Sequence, residues 1–180
     1  MGLCLFPHDR IENVFKVDFK ALEAEGIKAA FFDIDNTLVG HDAPGDDRAA
    51  KLVRMIQSSG IKAYLISNNG EERVRSFKEA VGADGYVFKA GKPLTKGFRK
   101  ALTELSLDKS QAVFFGDQIF TDAWGGRNAG VFTVLTKPLY KKEPPHIILK
   151  RALEAPVLLA FKIKYKISGP ARSVPLKDKE

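Results

Sequence analysis

Phe31-Phe32-Asp33-Ile34-Asp35-Asn36-Thr37-Leu38 sets two carboxylates two residues apart, directly after a run of small and apolar residues. Such a run reads as a buried strand, and residues i and i+2 of a strand share a face. Where the strand runs out, both carboxylates can be aimed at one point beyond its carboxyl end, which is where open α/β sheets bind ligands. Taken alone, Asp-x-Asp-x-Thr also fits an ordinary strand-to-turn junction, because Asp, Asn and Thr are good turn and cap residues.

Three further segments repeat the pattern of an apolar run followed by polar residues. Ala63-Tyr64-Leu65-Ile66 leads into Ser67-Asn68-Asn69-Gly70, Tyr86-Val87-Phe88-Lys89 into Ala90-Gly91-Lys92-Pro93, and Ala112-Val113-Phe114-Phe115 into Gly116-Asp117-Gln118-Ile119-Phe120-Thr121-Asp122. Helical patterns separate them over 46–59, 71–81, 95–105 and 120–129, with Gly60, Gly82 and Gly130 placed as C-caps. Alternating strands and helices predict an α/β fold with a mostly parallel sheet. At 180 residues, one domain is expected over 1–167, with a tail from Ser168 to Glu180 that reads as disordered.

Cys4 is the lone cysteine, so an intrachain disulfide and a thiolate zinc cluster are both excluded, and a reducing, cytoplasmic setting is expected. His8, His41 and His146 lack metal-ligand spacing and read as surface or loop residues. Asp9 and Glu12 interrupt the N-terminal region, which has no secretory apolar stretch. Residues 1–136 balance 18 basic against 18 acidic side chains, so the whole net charge of +7 lies in residues 137–180, with 11 basic and 4 acidic.

Within that basic region, 146–167 mixes bulky apolar residues with lysines and is too charged to span a bilayer. Three readings stay open for it: a last helix completing the core, a helix lying on an anionic membrane face, or a nucleic-acid or protein contact. Pro156 is expected to kink or break the helix. Nucleic acid is the weaker partner, since most phenylalanines sit in apolar runs such as Phe114-Phe115 and not on base-stacking platforms.

The four strand ends together fit phosphate-ester hydrolysis. Asp33 can attack phosphorus to form an aspartyl-phosphate, and Asp35 can protonate the leaving oxygen and later deprotonate water. Asp117 and Asp122 would make the cluster too negative for a phosphate dianion unless a hard cation joins it. Mg²⁺ suits an all-oxygen set of Asp33, Asp35, Asp117 and Asp122, with Asp35 contributing through its carbonyl. Thr37, Ser67, Asn68 and Lys92, with the backbone amides of the 34–37 and 67–69 turns, are the candidates for holding phosphoryl oxygens. Each has a plainer reading as a cap, turn or exposed loop residue.

In this order the motifs resemble the haloacid-dehalogenase-like phosphohydrolases over residues 28–136. The segments 26–28, 33–39, 67–69, 92–93 and 116–122 resemble more narrowly the bacterial YqeG-type family, itself similar to phosphatidylglycerophosphate phosphatases; with the N-terminal stretch the match spans roughly 7–154. The resemblance implies a three-layer, Rossmann-like fold without a cap, Mg²⁺ dependence, Asp33 as nucleophile and Asp35 as acid/base. Only about eight residues separate Thr37 from the next helix, and one helix and one strand fill 67–92, leaving no room for a cap domain. An open mouth suits a large substrate. The expected substrate is therefore an anionic phospholipid, phosphatidylglycerophosphate, met on the cytoplasmic membrane face. A soluble phosphatase for a nucleotide, sugar phosphate or polynucleotide end, and a non-catalytic binding module, are the alternatives.

Overall fold

The computed structural model describes residues 5–140, 145–170 and 172–177. Six strands form one sheet in the order β1-β6-β5-β2-β3-β4, every neighbouring pair parallel. They are β1 (Asp9–Ile11), β2 (Ala29–Phe32), β3 (Lys62–Ile66), β4 (Gly85–Val87), β5 (Ala112–Gly116) and β6 (Phe132–Thr136). The helices are α1 (Phe19–Ala24), α2 (Asp47–Ser58), α3 (Glu71–Val81), α4 (Lys96–Glu104), α5 (Trp124–Ala129) and α6 (Pro145–Ser168).

Alternation along the strands builds two cores. Ala30 and Phe32 of β2, Leu65 of β3 and Phe115 of β5 meet Leu22, Leu52, Ile56, Val74 and Phe77 of α1 to α3. Ala29, Phe31, Tyr64, Ile66 and Phe114 point the other way, toward Phe98 and Ala101 of α4. Phe32 stacks on Phe115 with centroids 5.4 Å apart, and Phe98 meets Phe114 edge-on at 4.9 Å. Burial on both faces is why these strands read as unbroken apolar runs. The result is the expected three-layer α/β arrangement, and neither the 38–46 connection nor 67–92 contains an inserted domain.

Helix boundaries follow local chemistry. The Asp46 carboxylate caps α2 by accepting from Ala49 N at 2.7 Å. Gly82 ends α3 at φ +74°, a left-handed C-cap that favours glycine. The helix expected over 120–129 is instead a wide π turn at Ile119–Ala123 followed by α5.

α6 continues through Pro156, so of the kink or break expected there the break does not occur. Within the tail expected to be disordered, residues 172–177 make contacts with the body: Val174 is buried, its N–H donates to Asp9 Oδ2 at 2.7 Å, and Leu176 forms an antiparallel bridge with Val17. Residues 171 and 178–180 lie outside the described residues. Among the described residues, no helix is long and apolar enough to cross a membrane.

Candidate active site

The carboxyl ends of β2, β3 and β5, with the loop after β4, converge on one cavity of about 210 Å³. Asp33, Asp35, Ser67, Lys92 and Asp122 line it with His41, Gln118, Thr121 and Ile147. A larger groove of about 470 Å³, along α4 from Arg99 to Asp108, gathers no comparable set of functional groups.

Lys92 stands at the centre. Its Nζ donates to Asp33 Oδ1 at 2.7 Å and to Asp122 Oδ1 at 2.6 Å, with a side chain only 2% exposed. Burial works against its charge, but the carboxylates of Asp122 and Asp33 overcome that and hold it above the usual lysine range. Burial likewise pushes Asp33 up to about 7 against the pull of Lys92, with Asp122 and Asp35 adding to the rise. Asp117 is driven well above the ordinary carboxylate range by burial, although Arg151 opposes it.

Local geometry explains how Asp122 reaches the cluster. Its Oδ2 accepts from Asp117 N and Gln118 N, both at 3.1 Å, closing the π turn onto the end of β5. A Cβ on Gly116 would lie 2.5 Å from Asp122 Cβ, so only glycine permits that approach.

Oxygens of Asp33, Asp117 and Asp122 lie within 4.8 Å of one another, and Asp117 Oδ1 is buried without a hydrogen-bond partner. An orphaned acceptor beside two other carboxylates fits a hard divalent cation such as Mg²⁺. The Asp35 side chain is not brought into this set. Its carboxylate groups with His41 and Asp42, accepting from Asn69 Nδ2 at 2.6 Å, Asp42 N at 2.9 Å and Arg73 Nη2 at 3.2 Å.

The residues expected to hold phosphate divide. Ser67 Oγ is at the cavity wall and accepts from Asn69 N at 3.2 Å, leaving its own O–H to donate. Asn68 differs from expectation: Oδ1 accepts from Lys92 N at 2.8 Å and Nδ2 donates to Lys92 O at 3.0 Å, so its amide clamps the Lys92 main chain. Thr37 is buried with an unpartnered Oγ1, and the amides of 37–39 are committed to the Ile34 carbonyl.

Residues not singled out in the sequence also reach the site. Arg73 bridges Asp35 and the Ala43 carbonyl. From α6, Arg151 pairs with Asp117 Oδ2 and donates to its carbonyl at 2.7 Å, while Glu154 Oε1 accepts from Ile119 N at 2.7 Å and Phe120 N at 3.2 Å. Ile147 of α6 lines the mouth, and so does His41, read from the sequence as a loop residue. Burial raises Glu154 above the ordinary range. An Arg three residues before a Glu on a basic helix was the available signal, and it is equally the signal of a surface ion pair.

Residues 43–130 match the family model for haloacid dehalogenase-like hydrolases. "Probable phosphatase YqeG" of Bacillus subtilis is 33% identical over 159 residues, spanning 88% of this chain and 92% of that one. "Phosphatidylglycerophosphate phosphatase 1, chloroplastic/mitochondrial" of Arabidopsis thaliana is 24% identical over 168 residues, spanning 86% of this chain and 47% of the plant protein. In fold, the cobalt-bound deoxy-D-mannose-octulosonate 8-phosphate phosphatase of Haemophilus influenzae superposes with a TM-score of 0.51 at 16% identity, covering 77% of this chain and 91% of that one. With its parallel sheet and strand-end aspartates, this chain belongs to the haloacid dehalogenase-like hydrolases and is a phosphatase of the YqeG type.

Proposed function

We propose that the protein hydrolyses the terminal phosphomonoester of an anionic phospholipid, phosphatidylglycerophosphate, through an aspartyl-phosphate on Asp33. The observation that carries the chemistry is the buried triad in which Lys92 bonds both Asp33 and Asp122. Lys92 holds Asp33 Oδ1 and so fixes the carboxylate facing the cavity. The Asp33 carboxylate attacks phosphorus, the ester oxygen leaves with a proton from Asp35, and a water deprotonated by Asp35 then cleaves the acyl phosphate.

Ser67 O–H and the Lys92 ammonium supply positive character to the phosphoryl oxygens. Asn69, Arg73 and Asp42 N fix the Asp35 carboxylate at the cavity wall. Mg²⁺ held by Asp33, Asp117, Asp122 and the Asp35 carbonyl would neutralise charge that otherwise repels the phosphate dianion.

Two observations support a lipid substrate. Among the described residues no inserted domain covers the cavity, and α6, whose Ile147 lines it, is a basic helix that also carries exposed Ile148, Leu149 and Leu153, a composition suited to an anionic membrane. The plant relative's name points the same way.

Phosphate release from phosphatidylglycerophosphate in Mg²⁺-containing mixed micelles, run beside soluble phosphate esters, tests this reading. Lipid turnover should far exceed that of the soluble esters, and Asp33→Asn should remove it. Asp33-dependent activity on soluble esters alone would retain the mechanism and reject the substrate.

A further inference from the structure

A second cavity, of about 330 Å³, lies away from the aspartate cluster between β1 and the C-terminal half of α6, lined by Arg10, Phe161, Lys162, Tyr165 and Lys166. Three of its five walls are cationic and two are aromatic. None of the three cations pairs with a carboxylate among the described residues. Arg10 Nε is buried without a hydrogen-bond partner. The nearest acid in sequence, Asp9, commits its oxygens elsewhere: Oδ1 accepts from Arg10 N at 2.7 Å and Tyr165 O–H at 3.1 Å, and Oδ2 from Val174 N at 2.7 Å. These bonds also fix the cavity's shape by tying β1, α6 and the tail together.

Unpaired cations around an aromatic floor call for an anion that carries an apolar body. The helix surface beside the cavity says which. At 100° per residue, Lys162 and Lys166 stand one above the other, and Leu159, Ile163 and Ile167 follow on the next strip of the helix. These three are 60%, 54% and 77% exposed. Exposed aliphatic side chains next to phosphate-sized positive charge match the boundary between headgroups and acyl chains of an anionic bilayer.

We propose that this cavity binds the phosphate of one anionic phospholipid, with Arg10, Lys162 and Lys166 on the headgroup and Leu159, Ile163 and Ile167 entering the bilayer interface. It is a docking site separate from catalysis, and it rests on the membrane-surface reading given above. α6 would then join the two sites, since its first half carries Ile147 and Arg151 at the aspartate cavity and its second half the lipid pocket.

The test uses the full chain, sedimented with vesicles of phosphatidylcholine alone or with about 30 mol% phosphatidylglycerol. Lys162→Gln/Lys166→Gln should weaken binding to the anionic vesicles roughly thirtyfold. Lys20→Gln/Lys51→Gln, an equal charge loss on α1 and α2, should change it less than about twofold. Turnover of p-nitrophenyl phosphate should be the same in all three proteins, showing that the variants fold. Binding kept by the pocket pair, or lost equally in the control pair, would overturn the site. So would competition by inorganic phosphate as strong as that by dihexanoyl-phosphatidylglycerol, which would make the cavity a free-anion site. Arg10→Gln, read the same way, checks the buried cation. Lipid docking without lipid-phosphate hydrolysis would remove the substrate assignment and leave this site standing; hydrolysis of micellar lipid without docking would do the reverse.

Discussion

Lys92 does for this site what a single residue seldom does: it is the shared counter-ion of two buried carboxylates that would otherwise repel each other. Asn68 holds the Lys92 main chain from both sides of its peptide, so the ammonium is positioned from its backbone outward. Far from the cavity, His8 shows a different use of burial. Its Nδ1 accepts from Thr133 N at 2.9 Å, and burial, then the charges of Arg127 and Arg172, lower its pKa from 6.5 to about 4. The unfolded chain therefore binds the proton near pH 6.5 while the folded chain resists it. Stability is complete above pH 6.5 and declines as pH falls toward 4, by on the order of 1 kcal/mol after allowing for partial solvent screening. Thermal unfolding of wild type and His8→Gln from pH 7.5 to 4 checks this. The gap between their melting temperatures should narrow or reverse on acidification, and parallel curves would exclude His8 as the source.

Elements, more than single residues, decide where charge is tolerated. Glu154 is 1% exposed on α6, yet it serves β5's loop by accepting from two amides at the start of the π turn that carries Asp122. Glu154→Ala leaves the buried Ile119 N–H and the part-buried Phe120 N–H without this acceptor, a cost of about 1–3 kcal/mol. Glu154→Gln keeps a carbonyl acceptor and should recover most of it. Urea midpoints give the stability, and Mn²⁺ binding followed by electron paramagnetic resonance reports on the Asp117–Asp122 loop independently of turnover. An Ala variant with a wild-type midpoint and unchanged Mn²⁺ affinity would show that the cap is dispensable. Asp33, Ser67 and Asp117 were legible in the sequence because each stands at the end of a mostly apolar strand, and Lys92 because it lies in the loop after the next one; a parallel sheet aligns such ends. Arg151 and Glu154 were not, because they arrive from a helix whose docking depends on long-range packing. β1 was also hidden: three residues, Asp9-Arg10-Ile11, with charge at two of them carry too little apolar pattern to announce a strand.

At the scale of the whole molecule, residues 9–18 and 165–177 close on each other. Asp9 of β1 receives Tyr165 from α6 and Val174 from the tail; Asp18 N donates to Pro175 O at 3.0 Å, and Lys177 N to Lys16 O at 2.9 Å. A basic, proline-containing tail reads as disordered because composition records its polarity, whereas its order comes from one buried valine and backbone bonds made more than 150 residues away in sequence. Truncation near residue 155 would remove Phe161, which is 6% exposed, along with the proposed lipid contacts, so lost binding and lost folding could not be told apart. Ending the chain after Pro170 is the sharper cut, since α6 and every residue lining the two cavities are kept while Val174 and its bond to Asp9 are removed. Unburying one valine and breaking that charge-assisted bond should lower stability by about 2–4 kcal/mol. Binding to anionic vesicles at a temperature where the shortened chain stays folded should persist, because Arg10, Lys162 and Lys166 all remain. A urea midpoint equal to wild type would mean that the tail does not hold β1 in place. Vesicle binding lost together with the tail, in a chain still folded by circular dichroism, would move the lipid contact from α6 to residues 171–180.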